Sequence, residues 1–251
     1  MKQEKKKDRK LLYGLLLVIF IGVFSFSIYK IYFLVHDHSE NLKEVQTIQD
    51  EIILNKEEIK TEEKVVEEKK ESVDLELDFP KLKQMNSDTV GWIEIRNTHI
   101  NYPIVQTDNN DYYLNHSFTK SNNGDGWIFL SYMNHGDFSD GNSVIFGHDT
   151  HANGMFSDLK KIYNGSLGSS IPITIYLEDT IYYYETIAVF LTEENDNLFL
   201  KTKLYSKDIK QALENSKIDF HSSIGEEETY LTLSTCYNTS SNKVILIAKR
   251  V

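Results

Sequence analysis

The sequence predicts a mainly β fold for residues 79–251, an eight-stranded barrel that is closed or nearly closed and carries a few short helices. Eight segments within roughly 160 residues have the alternation or composition of strands. Aromatic residues make up 12% of the chain, mostly Tyr and Phe, which is typical of a β-rich core. The predicted strands are 91–96, 98–105, 126–131, 142–147, 171–178, 181–192, 229–235 and 243–249.

Short helices are predicted before and between these strands. The globular domain is predicted to begin at Phe79. The pair Phe79-Pro80 places a proline in the first turn of a helix that reaches about Asn86. Three more helices interrupt the strands, and the last of them has apolar residues on one face. These three span 109–115, 155–163 and 206–217.

Residues 11–35 are predicted to form a transmembrane anchor after a basic tail, residues 1–10. The run from Leu11 to Tyr29 has no charge, and at roughly 1.5 Å per residue a helix of this length crosses a bilayer core. The tail has six basic and two acidic residues, which predicts a cytoplasmic N-terminus and an extracellular remainder. A cleaved signal peptide is the alternative, but the apolar run is long and no small-x-small site follows Val35.

Residues 36–78 are rich in Glu and Lys, and from Glu40 to Asp78 they contain no Gly. Apolar residues recur every seven positions at Val45 and Ile52, but the second apolar position that a coiled coil needs in each heptad is not kept. We interpret this segment as a charged helical stalk. A partly disordered spacer is the alternative.

The charge balance and the cysteine count exclude some classes of protein. The net charge is −11, and the basic tail contributes +4, so the rest of the chain carries −15. Such a negative chain repels a polyanion, and we therefore expect no nucleic-acid partner. With a single Cys there is no intramolecular disulfide, so packing must hold the fold together.

The only cysteine, Cys236, follows directly on the predicted strand 229–235. A lone thiol in this place is either a small buried apolar group or a nucleophile. A thiolate at a strand end, beside a histidine that takes or shares its proton, attacks carbonyl carbons at neutral pH.

His148 is the histidine with a matching position, because it also comes just past the end of an apolar strand, 142–147. Two strand-end residues can meet at one rim of a barrel, although a loop histidine is also often just solvated. His148, Asp149, His151 and Cys236 could together form a zinc site, but no CxxC or HExxH spacing supports one. We therefore predict no metal or cofactor.

Several motifs, in one order and spacing, carry a resemblance to a known family. The stretch Thr232-Leu233-Ser234-Thr235-Cys236 is similar to a TLxTC signature, and Val144-Ile145-Phe146-Gly147-His148 is similar to the strand that delivers a catalytic histidine. From about Phe79 to the C-terminus the chain resembles class B sortases, which are membrane-anchored cysteine transpeptidases of Gram-positive bacteria. Further similar stretches are Gly91-Trp92-Ile93, 100–106, Tyr113-Leu114-Asn115 and 154–161.

The resemblance implies a fold, a location and a reaction. Cys236 would attack the Thr carbonyl of a sorting motif near the C-terminus of a secreted protein, giving a thioacyl-enzyme. His148 would protonate the departing amine and then deprotonate an amine of a peptidoglycan precursor or stem peptide. The relatives include enzymes for NPxTN-like and xPxTG-like motifs. The implied partners are thus secreted proteins, a cell-wall amine and, through the anchor, membrane lipid.

The sequence departs from the family at an arginine on the strand after the cysteine. Lys243 stands in the expected place of this arginine, and a lysine offers a point donor instead of a planar fork. Arg250 lies roughly 23 Å further along an extended strand, and Arg96 cannot be placed. This departure leaves the alternative of a catalytically weak sortase-like protein that binds sorting signals or assists pilus or surface assembly. A plain cysteine hydrolase is a third hypothesis.

The resemblance also indicates residues that contact the substrate. Asn110 and Leu114 match positions that line the substrate groove, and otherwise cap and pack a short helix. Ser234 precedes the cysteine by two residues and shares its side of the strand. Leu198 and Phe199 form an apolar wall of the groove or belong to the core.

Overall fold

Eight strands form a closed barrel, as the sequence predicts. The computed structural model describes residues 2–56, 74–150, 154–169, 171–222, 228–236 and 242–251, with backbone only for residues 2–11 and for Cys236. The order around the barrel is β1-β2-β3-β4-β7-β8-β6-β5. The strands are β1 Thr89–Ile95, β2 Asn101–Val105, β3 Phe129–Leu130, β4 Asn142–Phe146, β5 Pro172–Tyr176, β6 Ile181–Glu193, β7 Tyr230–Cys236 and β8 Asn242–Arg250.

Two of the eight strand pairs are parallel, and the other six are antiparallel. The parallel pairs are β2 with β3 and β4 with β7. In the β4–β7 pair, Asn142 lies opposite Tyr230 and Phe146 lies opposite Ser234. The two strands therefore end at the same rim of the barrel.

The described helices are shorter than the sequence predicts, apart from α1. They are α1 Lys2–Ile52, α2 Phe79–Met85, α3 Leu159–Tyr163 and α4 Ser206–Asn215, with a single 3-10 turn at Tyr112–Leu114. The predicted helix 155–163 starts late because Met155 has a positive φ of 48°, which ordinary helical backbone does not allow.

The main apolar core fills the barrel, and a second, smaller cluster lies beneath α4. Both tryptophans, Trp92 and Trp127, are fully buried in the main core. The second cluster includes Phe190 on β6, Ile247 on β8 and Ile209 on α4. Strands β6 and β8 are thus covered on both faces.

Helix α1 begins in the apolar N-terminal segment and continues onto the barrel. Residues Leu12 to Val35 are exposed, and the helix is long and apolar enough to cross a membrane. Further along, Ile48 and Ile52 are buried in the main core cluster. The described part of the segment that we interpreted as a stalk is helical to Ile52 and packs against the barrel.

Candidate active site at the rim of β4 and β7

His148 and Cys236 both lie just beyond the last paired residues of the parallel strands β4 and β7. The final pair of the ladder is Phe146 with Ser234, and the Gly147 amide donates a hydrogen bond to the Ser234 carbonyl at 3.2 Å. Each candidate residue comes two positions after its member of that pair. Since neighbouring strands are about 5 Å apart, we expect the backbones of Cys236 and His148 to lie close together at this rim.

The His148 ring is held by a backbone carbonyl. Its Nε2 lies 2.9 Å from the carbonyl oxygen of Leu114, the last residue of the 3-10 turn Tyr112–Leu114. Because a carbonyl oxygen only accepts, Nε2 carries the proton in this hydrogen bond. The Nδ1 atom is therefore the ring nitrogen that this hydrogen bond leaves unused.

Gly126 lies beneath the His148 ring. Its backbone has a φ of 58°, in the left-handed region that favours glycine. A Cβ atom at this position would stand 2.9 Å from His148 Cδ2, 2.9 Å from the Leu114 oxygen and 2.5 Å from the Tyr113 oxygen. Only glycine lets the backbone approach the histidine and its acceptor so closely.

Lys243 on β8 lies directly opposite Cys236 in the antiparallel β7–β8 pair. Its side chain is 8% exposed, and its Nζ is 3.4 Å from Asn197 Oδ1 in the segment after β6. The same segment contains Asp196, whose pKa is held below its usual value first by the Thr192 hydroxyl and also by Lys243. A cation is thus buried beside the cysteine position and is oriented by the segment after β6.

A sortase domain family model matches residues 93–251 of the chain. The chain belongs to the sortase family. The sortase B of Listeria monocytogenes is 32% identical over 162 residues, which is 62% of this chain but only 65% of that protein. This chain therefore matches less than two thirds of the length of the Listeria relative.

Solved structures confirm the fold and the resemblance to class B. The Clostridium perfringens sortase B structure has a TM-score of 0.64 and 28% identity, and the match covers 69% of this chain and 100% of that one. A complex of Staphylococcus aureus sortase B with a substrate has a TM-score of 0.62 and 25% identity, covering 69% and 84%.

The two arginines after α1 lie in other parts of the barrel. Arg96 is within 3.6 Å of Glu94 and 3.9 Å of Asp74. Arg250 stacks on Tyr182, with its guanidinium carbon 3.8 Å from the ring centroid, at the end of β8 far from the rim. Neither is at the cysteine position, so Lys243 is the cation that the β7–β8 register places there.

Two of the predicted substrate contacts lie at or near the rim. Ser234 is 5% exposed and belongs to the last pair of the parallel ladder. Leu114 supplies the carbonyl that holds His148, and its side chain is half-buried. Asn110 is also half-buried, but its Oδ1 accepts a hydrogen bond from the Tyr132 amide at 3.0 Å.

Leu198 and Phe199 lie in the segment between β6 and α4. Phe199 is 2% exposed, and its ring centroid is 4.9 Å from that of Phe190 in the second cluster. Leu198 is half-buried and packs on the same cluster. Phe199 thus has the core position that the sequence left open as its alternative, and it does not form an exposed wall.

How His148 is held could not be predicted, because a backbone carbonyl and the glycine beside it have no side-chain motif. The isolated Gly126 at the start of a predicted strand was the available signal, since such a glycine often marks close backbone approach. For the zinc alternative, His151 lies outside the described residues. Within the described ranges, no three His, Cys, Asp or Glu side chains form a metal-binding group.

Proposed function

We propose that this sortase is a membrane-anchored cysteine transpeptidase that cleaves a C-terminal sorting motif at its Thr and transfers the protein to a cell-wall amine. One observation carries the proposal: the parallel pairing of β4 and β7 places His148 and the only cysteine, Cys236, at the same rim. A thiol beside an imidazole is the arrangement that nucleophilic acyl transfer requires.

His148 has the proton-transfer role in this reaction. The hydrogen bond from Nε2 to the Leu114 carbonyl fixes the ring and leaves Nδ1 for proton exchange. Cys236 Sγ attacks the Thr carbonyl carbon as a thiolate, and the protonated imidazole gives its proton to the departing amine. The thioacyl-enzyme forms as the peptide bond breaks. The incoming amine then attacks the thioacyl carbon and loses a proton to His148, a new amide bond forms, the carbon–sulfur bond breaks and Cys236 leaves as a thiolate.

Lys243 is proposed to stabilise the negative charge that develops on the Thr carbonyl oxygen. Its place opposite Cys236 supports this role, and its 8% exposure means that little water screens its charge. An ammonium donates as a point and not as a planar fork, so we expect weaker stabilisation than an arginine would give.

We propose that α1 anchors the enzyme with its N-terminus in the cytoplasm and the barrel outside. The apolar length of α1 and the basic residues before it support this orientation. The substrate would be a secreted protein with an NPxTN-like or xPxTG-like motif, and the acceptor an amine of a peptidoglycan precursor or stem peptide. The substrate complex of the S. aureus relative supports the first of these partners.

The test uses the full-length protein in detergent micelles with fluorogenic peptides of both motif types. We expect a thioacyl adduct on Cys236 by mass spectrometry, and none in Cys236→Ala. An added amine should divert the product from acid to amide. An acid product that no amine diverts would indicate a hydrolase, and binding of the peptides without any adduct would indicate a catalytically weak binding protein.

A further inference from the structure

Helix α1 meets the barrel beside the segment that supports His148. Asn41, which is 2% exposed, donates a hydrogen bond from Nδ2 to the Gly126 carbonyl at 3.1 Å. One turn earlier, His38 Nδ1 lies 2.7 Å from the Asp125 carboxylate. Two consecutive residues of the barrel are therefore held by the helix that carries the anchor.

Gly126 connects the hydrogen bond of Asn41 to the candidate active site. Its Cα lies so close to the His148 ring and to the Leu114 carbonyl that any Cβ would meet both at 2.9 Å. A shift of Gly126 toward the imidazole or toward the carbonyl that orients it would therefore displace them, because close-packed groups transmit displacement.

Helix α1 also faces the loop after His148. A small cavity between them is lined by His38, Asn41, Asp125 and Thr150, among others. Thr150 follows His148 by two residues and is 9% exposed. The helix thus packs against the segment beneath the imidazole and faces the loop that continues from it.

We propose that Asn41 is a positioning residue for His148, and that it acts through the backbone of Gly126. The helix that leads out of the anchor then sets the orientation of the imidazole as well as the location of the barrel. This inference rests on the proposed function, in which His148 transfers the protons.

Other polar residues of α1 attach the helix to the barrel away from His148. Gln49 donates from Nε2 to the Asn101 carbonyl at 2.8 Å, at the start of β2. This hydrogen bond has the same chemistry as that of Asn41, a side-chain amide to a backbone carbonyl. Gln49→Ala is therefore a matched control that weakens the docking of α1 without touching Gly126.

The experiment compares Asn41→Ala, Asn41→Asp and Gln49→Ala in the full-length protein in detergent micelles. For Asn41→Ala we expect kcat to fall roughly 5- to 10-fold with KM within about twofold, since small misplacements of a catalytic group are costly. Asn41→Asp should show the same loss, because a carboxylate cannot donate to the Gly126 carbonyl. Gln49→Ala should lower the Tm by a similar amount to Asn41→Ala and keep the wild-type kcat.

A second measurement does not depend on turnover. The imidazole carbon–proton resonances of His148, assigned with His148→Gln, should shift in the resting Asn41→Ala protein and stay in place in Gln49→Ala. Equal effects of the two substitutions on kcat and on these resonances would overturn the inference. If the wild-type protein shows no Cys236-dependent turnover, the proposed function fails, while the resonances still decide whether Asn41 positions His148.

Discussion

Replacing Gly126 by alanine tests how closely the backbone beneath His148 is packed. The substitution adds one methyl group at a φ of 58° and forces it within 2.5 Å of the Tyr113 oxygen and 2.9 Å of His148 Cδ2. A left-handed backbone costs an alanine roughly 1–2 kcal/mol. Overpacking of a close-packed site adds about 1–3 kcal/mol to this loss.

Gly168→Ala separates these two effects. Gly168 also has a left-handed φ, of 80°, but a Cβ there would meet no heavy atom within 4 Å. The Gly168→Ala protein should therefore lose only the part of the unfolding free energy that comes from the left-handed backbone, roughly 1–2 kcal/mol. The unfolding free energy of Gly126→Ala, measured by urea titration, should fall about 1–3 kcal/mol further than that of Gly168→Ala.

Turnover provides the second comparison between these variants. Carbon atoms normally approach no closer than about 3.5 Å, so the His148 ring must move by roughly half an ångström in Gly126→Ala. We expect about a tenfold loss of kcat in this variant and none in Gly168→Ala. Equal stability loss in both variants, with turnover retained, would refute the close packing of Gly126 against His148.

Three further predictions concern single side chains. His148→Ala should remove most turnover of a fluorogenic sorting peptide, and an unchanged rate would contradict its role. Lys243→Arg should speed acylation in stopped-flow measurements, since a planar fork binds an oxyanion better than a point donor; an unchanged rate would mean that backbone donors hold the oxyanion. Burial opposes the ionisation of Asp158, but Lys161 and His99 outweigh it and hold its pKa below the usual range. The stability from this carboxylate is present above the unfolded pKa, about 3.9, and is lost as the pH falls through the lower folded pKa. Asp158→Asn should flatten that acid decline in unfolding free energy, and an unchanged decline would contradict the assignment.

The long strands were predictable because their burial alternates or is complete over many residues. Strand β6 ends one residue past its predicted limit, and β8 begins and ends within one residue of its limits. Strand β3 was predicted too long, as 126–131, and covers only Phe129–Leu130. The Trp127 amide donates a hydrogen bond to the Tyr113 carbonyl oxygen and not to a neighbouring strand. The sequence around Trp127 does not predict so distant a partner.

The partner of the charged segment could not be predicted for the same reason. The spacing of Val45 and Ile52 indicates a helix with an apolar side, but it does not say what covers that side. In the structure the barrel covers it, and Ile48 is buried there as well. The two strand-end residues His148 and Cys236, in contrast, could be proposed from sequence because each follows a recognisable apolar strand.

The parallel pairing of β4 and β7 determines when the site forms during folding. Phe146 and Ser234 lie opposite each other although they are far apart along the chain. Bringing distant segments together costs entropy before their contacts repay it, so this pairing is expected late. A partly folded chain therefore lacks this rim, and the backbones of the strands that carry His148 and Cys236 are brought together only when the barrel closes.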